Sequence, residues 1–210
     1  INTFNKLLPP EIVDKTGYAG KLSKVRPSMA SLCLYIGLKD TSDNLKLPKT
    51  NLWIYPNENY EQSIETFLND ATTDIPLVYI SFPSAKDPTF NARYPERATI
   101  EIVAPCPWEW VEQWADKPWG KRGDDYDALK EAFSQRLLEK LYEKMPHLRG
   151  KVDYYELSTP LSTSAPEKSG LRALSLNERI ANTPSAALGS SRDKPDKEYC
   201  AKILKARSEE

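Results

Sequence analysis

Apolar and polar residues alternate along several short segments of the chain, and a period of two is typical of β-strands. In the clearest segment, 29–38, leucine and isoleucine occupy every second position from Leu32 to Leu38. The pattern predicts strands over 29–38, 51–55, 76–82, 97–103 and 151–157. Residues 76–82 are apolar on both faces, so we expect a central strand that is covered on both sides.

Other segments show helical spacing of their apolar residues. The predicted helices are 59–69, a short one on Trp108, Val111 and Trp114, and a long one over 125–145. Asp124 is predicted to cap the long helix, and Pro146 is predicted to end it. The order strand, strand, helix, strand, strand, helix, helix, strand predicts an α+β fold with a mostly antiparallel sheet and helices on one face.

The composition changes sharply near Thr163. All but one of the aromatic residues precede this point, and residues 164–210 carry only Tyr199 among many serines and charges. Such a segment buries too little apolar surface to offset its loss of conformational entropy. We therefore divide the chain into an α+β region, 1–163, and a divergent tail, 164–210, that we expect to be disordered. The chain begins with Ile1 and not with methionine, which favours a piece of a longer protein.

Charge and cysteine content exclude several classes of protein. The chain has 29 Lys and Arg against 30 Asp and Glu, so it lacks the basic field of a protein that binds nucleic acid. No apolar stretch approaches the ~18 residues of a membrane span, and no signal-peptide pattern is present. Cys33, Cys106 and Cys200 are too few and too far apart for a disulfide framework or a zinc site. We expect Cys33 and Cys106 to be buried small hydrophobes.

No motif of a known catalytic or cofactor site occurs in the sequence. Gly17 and Gly20 form the closest glycine pair, but no predicted strand precedes them, so no phosphate-binding loop is predicted. The sole histidine, His147, follows the long helix, where it is expected to bind carbonyl groups; a general-acid role would need a partner from another segment. Glu109 and Glu112 suit the polar face of an amphipathic helix. We assign no catalytic residue and no metal ligand.

Two loops carry polar side chains that suit either a structural or a binding role. The run at 80–90 is either a tightly specified connection or a loop that places Ser84 and Lys86 beside a ligand. Lys121 and Arg122 lie between glycines ahead of the long helix. They belong either to a surface turn or to a site for a phosphate or an anionic lipid head group. Both alternatives stay open at this point.

Aromatic residues give the clearest indication of function. Tyr35, Trp53 and Tyr55 fall on the positions that alternate with the aliphatic residues of their predicted strands. A sheet with helices on its aliphatic face and large amphipathic rings on the other suits one wall of an apolar pocket. We therefore predict that these three residues bind an apolar substrate. A domain or subunit interface would produce the same pattern.

Several motifs along residues 1–163 match one known family. They lie at 26–28, 34–39, 51–55, 82–89, 108–110, 120–123 and 146–152, and the Phe-Pro-Ser-Ala-Lys-Asp-Pro run and the Gly-Lys-Arg-Gly turn are fairly specific. On these residues the chain resembles the retinol saturase family, the all-trans-retinol 13,14-reductases. That family is close to the carotenoid isomerases and to phytoene desaturase-like flavoproteins.

The resemblance implies the substrate domain of a flavin amine-oxidase-like fold, whose antiparallel sheet covers the flavin and a long apolar cavity. It implies FAD as cofactor, with a nicotinamide possible, and saturation of the 13,14 double bond of all-trans-retinol or action on a related retinoid or carotenoid polyene. It also implies association with the endoplasmic reticulum membrane, so that a membrane surface is a partner of the full-length protein.

The chain departs from the family pattern in two places. The N-terminal dinucleotide-binding motif is missing, and the pattern is lost after Thr163. We therefore expect that this chain alone binds no FAD and is inactive on retinol, and no flavin-binding residue is assigned. The alternative to an oxidoreductase fragment is a non-enzymatic module that binds an apolar ligand or docks on a membrane through its aromatic sheet face.

Overall fold

Five strands form one antiparallel sheet in the structure, a computed structural model that describes residues 3–25 and 28–164. The sheet order is β2-β3-β4-β1-β5, so β1 pairs with β4 on one side and with β5 on the other. The strands are β1 Ala30–Lys39, β2 Leu52–Ile54, β3 Val78–Ser81, β4 Arg97–Cys106 and β5 Val152–Ser158.

Helices and helical turns connect the strands. The α-helices are α1 Pro10–Thr16, α2 Ala19–Leu22, α3 Tyr60–Asn69, α4 Pro83–Lys86, α5 Phe90–Arg93, α6 Asp124–Lys144 and α7 Pro160–Ser164. A π-helix covers Thr3–Leu7, and short 3₁₀ helices cover Trp108–Trp110, Glu112–Trp114 and Pro146–Leu148. The predicted α+β class with a mostly antiparallel sheet and helices on one face is confirmed. The predicted disorder of 164–210 lies outside the described residues, apart from Ser164 at the end of α7.

The core lies between one face of the sheet and α6. The alternation in β1 places its leucines and isoleucine on this face, where Leu34 and Ile36 are fully buried. From α6, Phe133 and Leu137 pack into the same cluster. Trp110 stacks on Phe133 with 5.8 Å between the ring centroids. Burial of this face leaves the opposite face of the sheet to carry the polar and aromatic set.

Strand β3 differs from its prediction. It spans Val78–Ser81, and it lies between β2 and β4, next to the edge of the sheet and not at its centre. Val78 and Ile80 are fully buried against the helices, but Tyr79 on the other face is only half-buried. The expectation of a central strand that is covered on both sides is therefore wrong. Tyr79 counts as apolar in the sequence pattern, although its ring lies on the less covered face of the sheet.

The start of the long helix also differs from its prediction. Helix α6 begins at Asp124 itself, and the capping position is Gly123, whose φ of 96° suits glycine best. Asp124, Asp125 and Asp127 all lie in the first turn, where negative charge is stabilised by the helix dipole. The prediction that Pro146 ends the helix is confirmed, because α6 stops at Lys144.

Two ion pairs that share Asp153 link one end of the three strands β4, β1 and β5. The Asp153 carboxylate accepts from Lys39 Nζ at 2.8 Å and from Arg97 Nη1 at 2.9 Å. Burial raises the pKa of Asp153, but the hydrogen bonds and charges of Lys39 and Arg97 outweigh it, and the net pKa lies below the usual value. A carboxyl whose folded pKa is depressed stabilises the fold above its unfolded pKa, and this contribution disappears as the pH falls through the folded pKa.

We expect Asp153→Asn to lower the free energy of unfolding at pH 7 by about 1 kcal/mol. The difference from the parent chain should shrink once the pH falls below the ordinary aspartate pKa of about 3.9, and it should vanish below the depressed folded pKa. Urea unfolding at pH 7 and at pH 3 measures both values. An equal loss at the two pH values would contradict an electrostatic role for Asp153.

Candidate functional site

The face of the sheet opposite the core carries a row of mostly aromatic and apolar side chains. Trp53 pairs with Tyr79, Tyr79 with Val103, and Val103 with Cys33, across four neighbouring strands. We call these four residues the aromatic row. The side chain of Trp53 is 59% exposed, and the other three are half-buried.

A second row lies two residues further along the strands. Ser81 pairs with Glu101, Glu101 with Tyr35, and Tyr35 with Glu156. We call these four residues the carboxylate row. Residues i and i+2 of a strand share a face and lie about 6.5–7 Å apart, so the two rows are direct neighbours. Together they form what we call the open face.

The ring of Trp53 is held by its neighbour in the aromatic row. The Trp53 and Tyr79 ring centroids lie 4.7 Å apart with the ring planes at 58°. A tilted pair at this distance is a favourable aromatic geometry. Among the strands that the structure describes, β2 is at the edge of the sheet, and none of them lies beyond the Trp53 ring. A large, oriented indole surface is therefore presented to the surroundings.

The structure brings two of the three predicted substrate-binding residues onto the open face but does not place them in contact. Tyr35 and Trp53 lie on strands that are three strand spacings apart, and one spacing is about 4.8 Å. Tyr55 follows the end of β2, is 49% exposed, and packs edge-on against Tyr60 at the start of α3, 5.6 Å away. Whether any of the three contacts a substrate stays a prediction.

Tyr35 lies at the most polar point of the open face. Burial, a hydrogen bond with the Cys33 side chain, and the charges of Glu101 and Glu156 all raise the pKa of Tyr35. Burial chiefly raises the pKa of the Cys33 thiol as well. Tyr35 and Cys33 are therefore neutral near pH 7, and Tyr35 lies between two glutamates on the neighbouring strands.

Lys86 lies at the rim of the carboxylate row. Its ammonium group donates to Ser81 Oγ at 2.9 Å and to the side-chain oxygen of Asn51. These contacts link α4 to β3 and to the residue that precedes β2. Ser84 and Lys86 were both considered for ligand binding, and Lys86 is exposed at the edge of the open face.

Ser84 has a structural position instead. Its hydroxyl accepts from Ser42 Oγ at 2.8 Å and from the Thr99 N–H at 2.9 Å, and it donates to the Thr99 carbonyl at 3.2 Å. Strand β3 pairs with β4 only as far as Ser81 and Glu101. The Ser84 side chain therefore continues the ladder at Thr99, where strand pairing has ended. Of the two alternatives for the run at 80–90, a structural connection therefore accounts for Ser84.

Arg122, in the Gly-Lys-Arg-Gly turn, is also turned inward. Its side chain is buried, with Nη1 3.5 Å from the Tyr126 hydroxyl and Nη2 3.4 Å from the Leu161 carbonyl. The Tyr126 hydroxyl in turn shares a 2.7 Å hydrogen bond with Thr159 Oγ1. Arg122 therefore fastens the start of α6 to the end of β5 and the start of α7, while Lys121 is exposed.

Four titratable candidates from the sequence remain, namely His147, Glu109, Glu112 and Cys106. The ring Nε2 of His147 lies 3.0 Å from the carbonyl of Leu45, in the loop that follows β1, and so contacts a carbonyl other than those at the end of α6 that it was expected to cap. Glu109 and Glu112 are exposed in the two 3₁₀ helices. Cys106 is buried, and burial raises the pKa of its thiol to about 12.

Residues 3–25 and 28–164 contain neither a metal-ligating cluster nor a membrane-spanning helix. Within these ranges, no three His, Cys, Asp or Glu side chains are grouped so that they could hold a metal ion. In the same part of the chain, no helix is both long enough and apolar enough to span a bilayer.

Comparison with known proteins shows which proteins this chain is similar to. The chain is 35% identical to an all-trans-retinol 13,14-reductase of Rattus norvegicus and 34% identical to that of Homo sapiens, each over 165 residues. Both matches cover 77% of this chain and 27% of the relative. A phytoene desaturase of Neurospora crassa is 32% identical over 106 residues, which are 50% of this chain and 17% of that protein. No protein-family model matches the chain.

The chain resembles a segment of the all-trans-retinol 13,14-reductases. The recognition made from the sequence motifs is thereby confirmed, and the more distant phytoene desaturase extends the resemblance to a retinoid and carotenoid oxidoreductase family. The chain spans about a quarter of the length of the reductases that it matches, 27% in each case.

The carboxylate row of this reductase-like segment was not predicted from the sequence. Alternation along 97–103 places Glu101 opposite the core set, and this was the one available signal. That Glu101 and Glu156 flank Tyr35 depends on the register of β4 and β5 against β1, which no local pattern encodes. Tyr79 was noted as an aromatic strand residue, but its contact with Trp53 depends on the β2–β3 register.

Proposed function

We propose that this chain is the substrate domain of an FAD-dependent oxidoreductase that acts on all-trans-retinol or a related polyene, and that the open face contacts the polyene. The observation that carries the proposal is the exposed ring of Trp53, held at 4.7 Å by Tyr79 on the face opposite the helices. The names of the relatives indicate the class of substrate.

The aromatic row suits a flat, apolar, elongated ligand. Trp53 and Tyr79 offer large ring surfaces, and Val103 and Cys33 continue the row without a charge. Burial of apolar surface contributes roughly 25 cal/mol per Å², and rings add a geometric preference for flat partners. In this proposal these residues bind and orient the polyene and exclude water from it.

FAD binding belongs to the remainder of a longer protein in this proposal. One observation supports this: in the Gly-Lys-Arg-Gly turn, the Arg122 guanidinium is buried against Tyr126 and Leu161 and is not turned outward towards a phosphate. We assign no residue of this chain to redox chemistry, and we propose that the chain alone is inactive. A nicotinamide donor and location at the endoplasmic reticulum membrane are likewise proposals for the longer protein.

A second candidate function is supported by the same exposed indole. A tryptophan that is 59% exposed also suits a non-enzymatic module that sequesters an apolar ligand or rests on a membrane surface. The two functions differ in what the open face binds and in whether a flavin protein is formed with further segments.

Titration of the purified chain with all-trans-retinol tests the role of the open face, with the fluorescence of retinol itself as the readout. We expect saturable binding, and we expect Trp53→Ala to weaken it about tenfold, because truncation of a central aromatic contact typically costs more than 1 kcal/mol. Trp119→Ala is the matched control, since Trp119 is also 59% exposed but lies outside the open face.

The outcome tests the open face, which the substrate domain and a module that sequesters an apolar ligand have in common. Retinol binding that falls in Trp53→Ala and not in Trp119→Ala supports a polyene-binding open face. Retinol binding that is equal in all three proteins contradicts a polyene-binding open face. Loss of binding to phosphatidylcholine vesicles in Trp53→Ala, without any change in retinol affinity, would favour the membrane-docking alternative.

A further inference from the structure

Strand β2, which carries Trp53, has little backbone pairing of its own. It spans three residues, Leu52–Ile54, and among the described strands it pairs only with β3. A short ladder at the edge of a sheet opens more easily than the strands at its centre. The position of the Trp53 ring therefore depends on the contacts that fasten the two ends of β2.

The register of β2 against β3 shows where backbone pairing stops. Leu52 lies opposite Ile80, and this is the last aligned pair in the direction of Asn51. One more step of the same register would place Asn51 opposite Ser81, but the paired residues do not include them. Ser81 belongs to the open face, two residues along β3 from the aromatic row.

Lys86 joins the two residues at this step. Its Nζ donates to Ser81 Oγ at 2.9 Å and to the side-chain oxygen of Asn51. Hydrogen bonds from a charged donor are stronger than those between neutral groups. Lys86 thus extends the β2–β3 ladder by one step through side chains, at the point where the backbone ladder has ended.

The other end of β2 is fastened by an aromatic contact. Tyr55, which follows the strand, packs edge-on against Tyr60 at 5.6 Å. Trp53 lies between the two fastened ends and tilts against Tyr79 with 4.7 Å between the ring centroids. Because β2 has one neighbouring strand among those described, release of either end would let the indole move away from Tyr79.

We propose that Lys86 is a positioning residue of the open face, and that by joining Asn51 to Ser81 it holds Trp53 in the orientation that contacts an apolar ligand. This inference rests on the proposed function, because it assumes that Trp53 contacts the polyene. A side chain that is already fixed loses less conformational entropy on binding. Lys86 therefore strengthens ligand binding without touching the ligand.

A direct contact between Lys86 and the ligand is the competing explanation. An ammonium group has three N–H donors, and Ser81 and Asn51 use two of them. The two explanations differ once the Trp53 ring is removed. A direct contact would still contribute to binding, whereas a positioning residue would have no ring left to hold.

The test titrates the full chain with all-trans-retinol and follows the fluorescence of retinol. Lys86→Met keeps most of the apolar stem and removes the ammonium group, and it should weaken binding about fivefold. Lys86→Arg keeps a charged donor and should bind retinol within about twofold of the parent chain. Lys144→Met is the matched control, since Lys144 is exposed in the last turn of α6, and it should bind as the parent does.

Two further readouts separate positioning from other roles. In a Trp53→Ala background, Lys86→Met should cause no additional loss of retinol affinity. Without ligand, the backbone amides of β2 should exchange hydrogen about tenfold faster in Lys86→Met, while those of β1 and β4 stay unchanged. A general loss of stability would instead accelerate exchange in all of these strands.

The failures of the two proposals are distinguishable. If the parent chain binds no retinol, or if Trp53→Ala has no effect, the proposed function fails, and the positioning role for ligand binding fails with it. If retinol binds through Trp53 but Lys86→Met binds it as the parent does, the function stands and the positioning role is overturned. Equal losses from Lys86→Met with and without Trp53, or unchanged exchange in β2, would also overturn it.

Discussion

Phe133→Ala is expected to lower the free energy of unfolding by about 3–5 kcal/mol, because it removes a large ring from the centre of the core. Phe133 is 1% exposed, stacks on Trp110, and lies under the Arg136 guanidinium, which is 5.5 Å from its ring centroid. Truncation leaves a cavity between α6 and the sheet that the neighbouring rings fill only in part. Urea unfolding followed by circular dichroism measures the change.

Leu68→Ala is the control for this prediction. Leu68 is 42% exposed on α3, and its truncation should cost less than about 1 kcal/mol. A loss below 1 kcal/mol in Phe133→Ala would show that α6 does not pack on the sheet as described. Under native conditions Phe133→Ala should still bind retinol, because Phe133 and the open face lie on opposite sides of the sheet.

Ser84→Ala is expected to cost about 2–3 kcal/mol, although it removes a single oxygen atom. The Ser84 hydroxyl satisfies three buried groups: the Ser42 hydroxyl, the Thr99 N–H and the Thr99 carbonyl. Without it the Thr99 groups lie buried beyond the end of β3, and an unpaired buried donor or acceptor costs about 1–3 kcal/mol. Thermal and urea unfolding of the two chains give the difference.

Ser23→Ala is the comparison for this substitution, since the Ser23 hydroxyl donates to the Gly20 carbonyl at an exposed position. Its effect should lie within about 0.5 kcal/mol. Equal stabilities of Ser84→Ala and the parent chain would contradict the role of Ser84 as an extension of the β4 ladder. They would also reopen the alternative that this loop serves a ligand.

The sequence predicted the elements well because burial on one face leaves a periodic trace. The alternation around Leu34 and the helical spacing around Phe133 both reflect contact with one core, and both elements appear within one or two residues of their predicted ends. Asp124 was assigned as a cap because aspartate suits that position, but Gly123 takes it with a left-handed backbone. Side-chain preference gave way there to backbone conformation.

The candidate site was less predictable because it depends on long-range pairing. Alternation alone placed Tyr35 and Trp53 opposite the aliphatic set. It did not indicate that Tyr35 lies between Glu101 and Glu156, which are distant in sequence. Likewise, the turn at Ser84 was visible locally, whereas its partners Ser42 and Thr99 were not.

The sheet order has a consequence for how this chain reaches its fold. The longest ladder joins β1 to β4, and residues 40–96 separate the two strands, so this contact closes late and against a large loop entropy. During synthesis, β1 has neither neighbour until β4 has been made, and its second edge waits for β5. A chain that ends before Arg97 would expose two unpaired edges of an apolar strand, which favours aggregation and degradation.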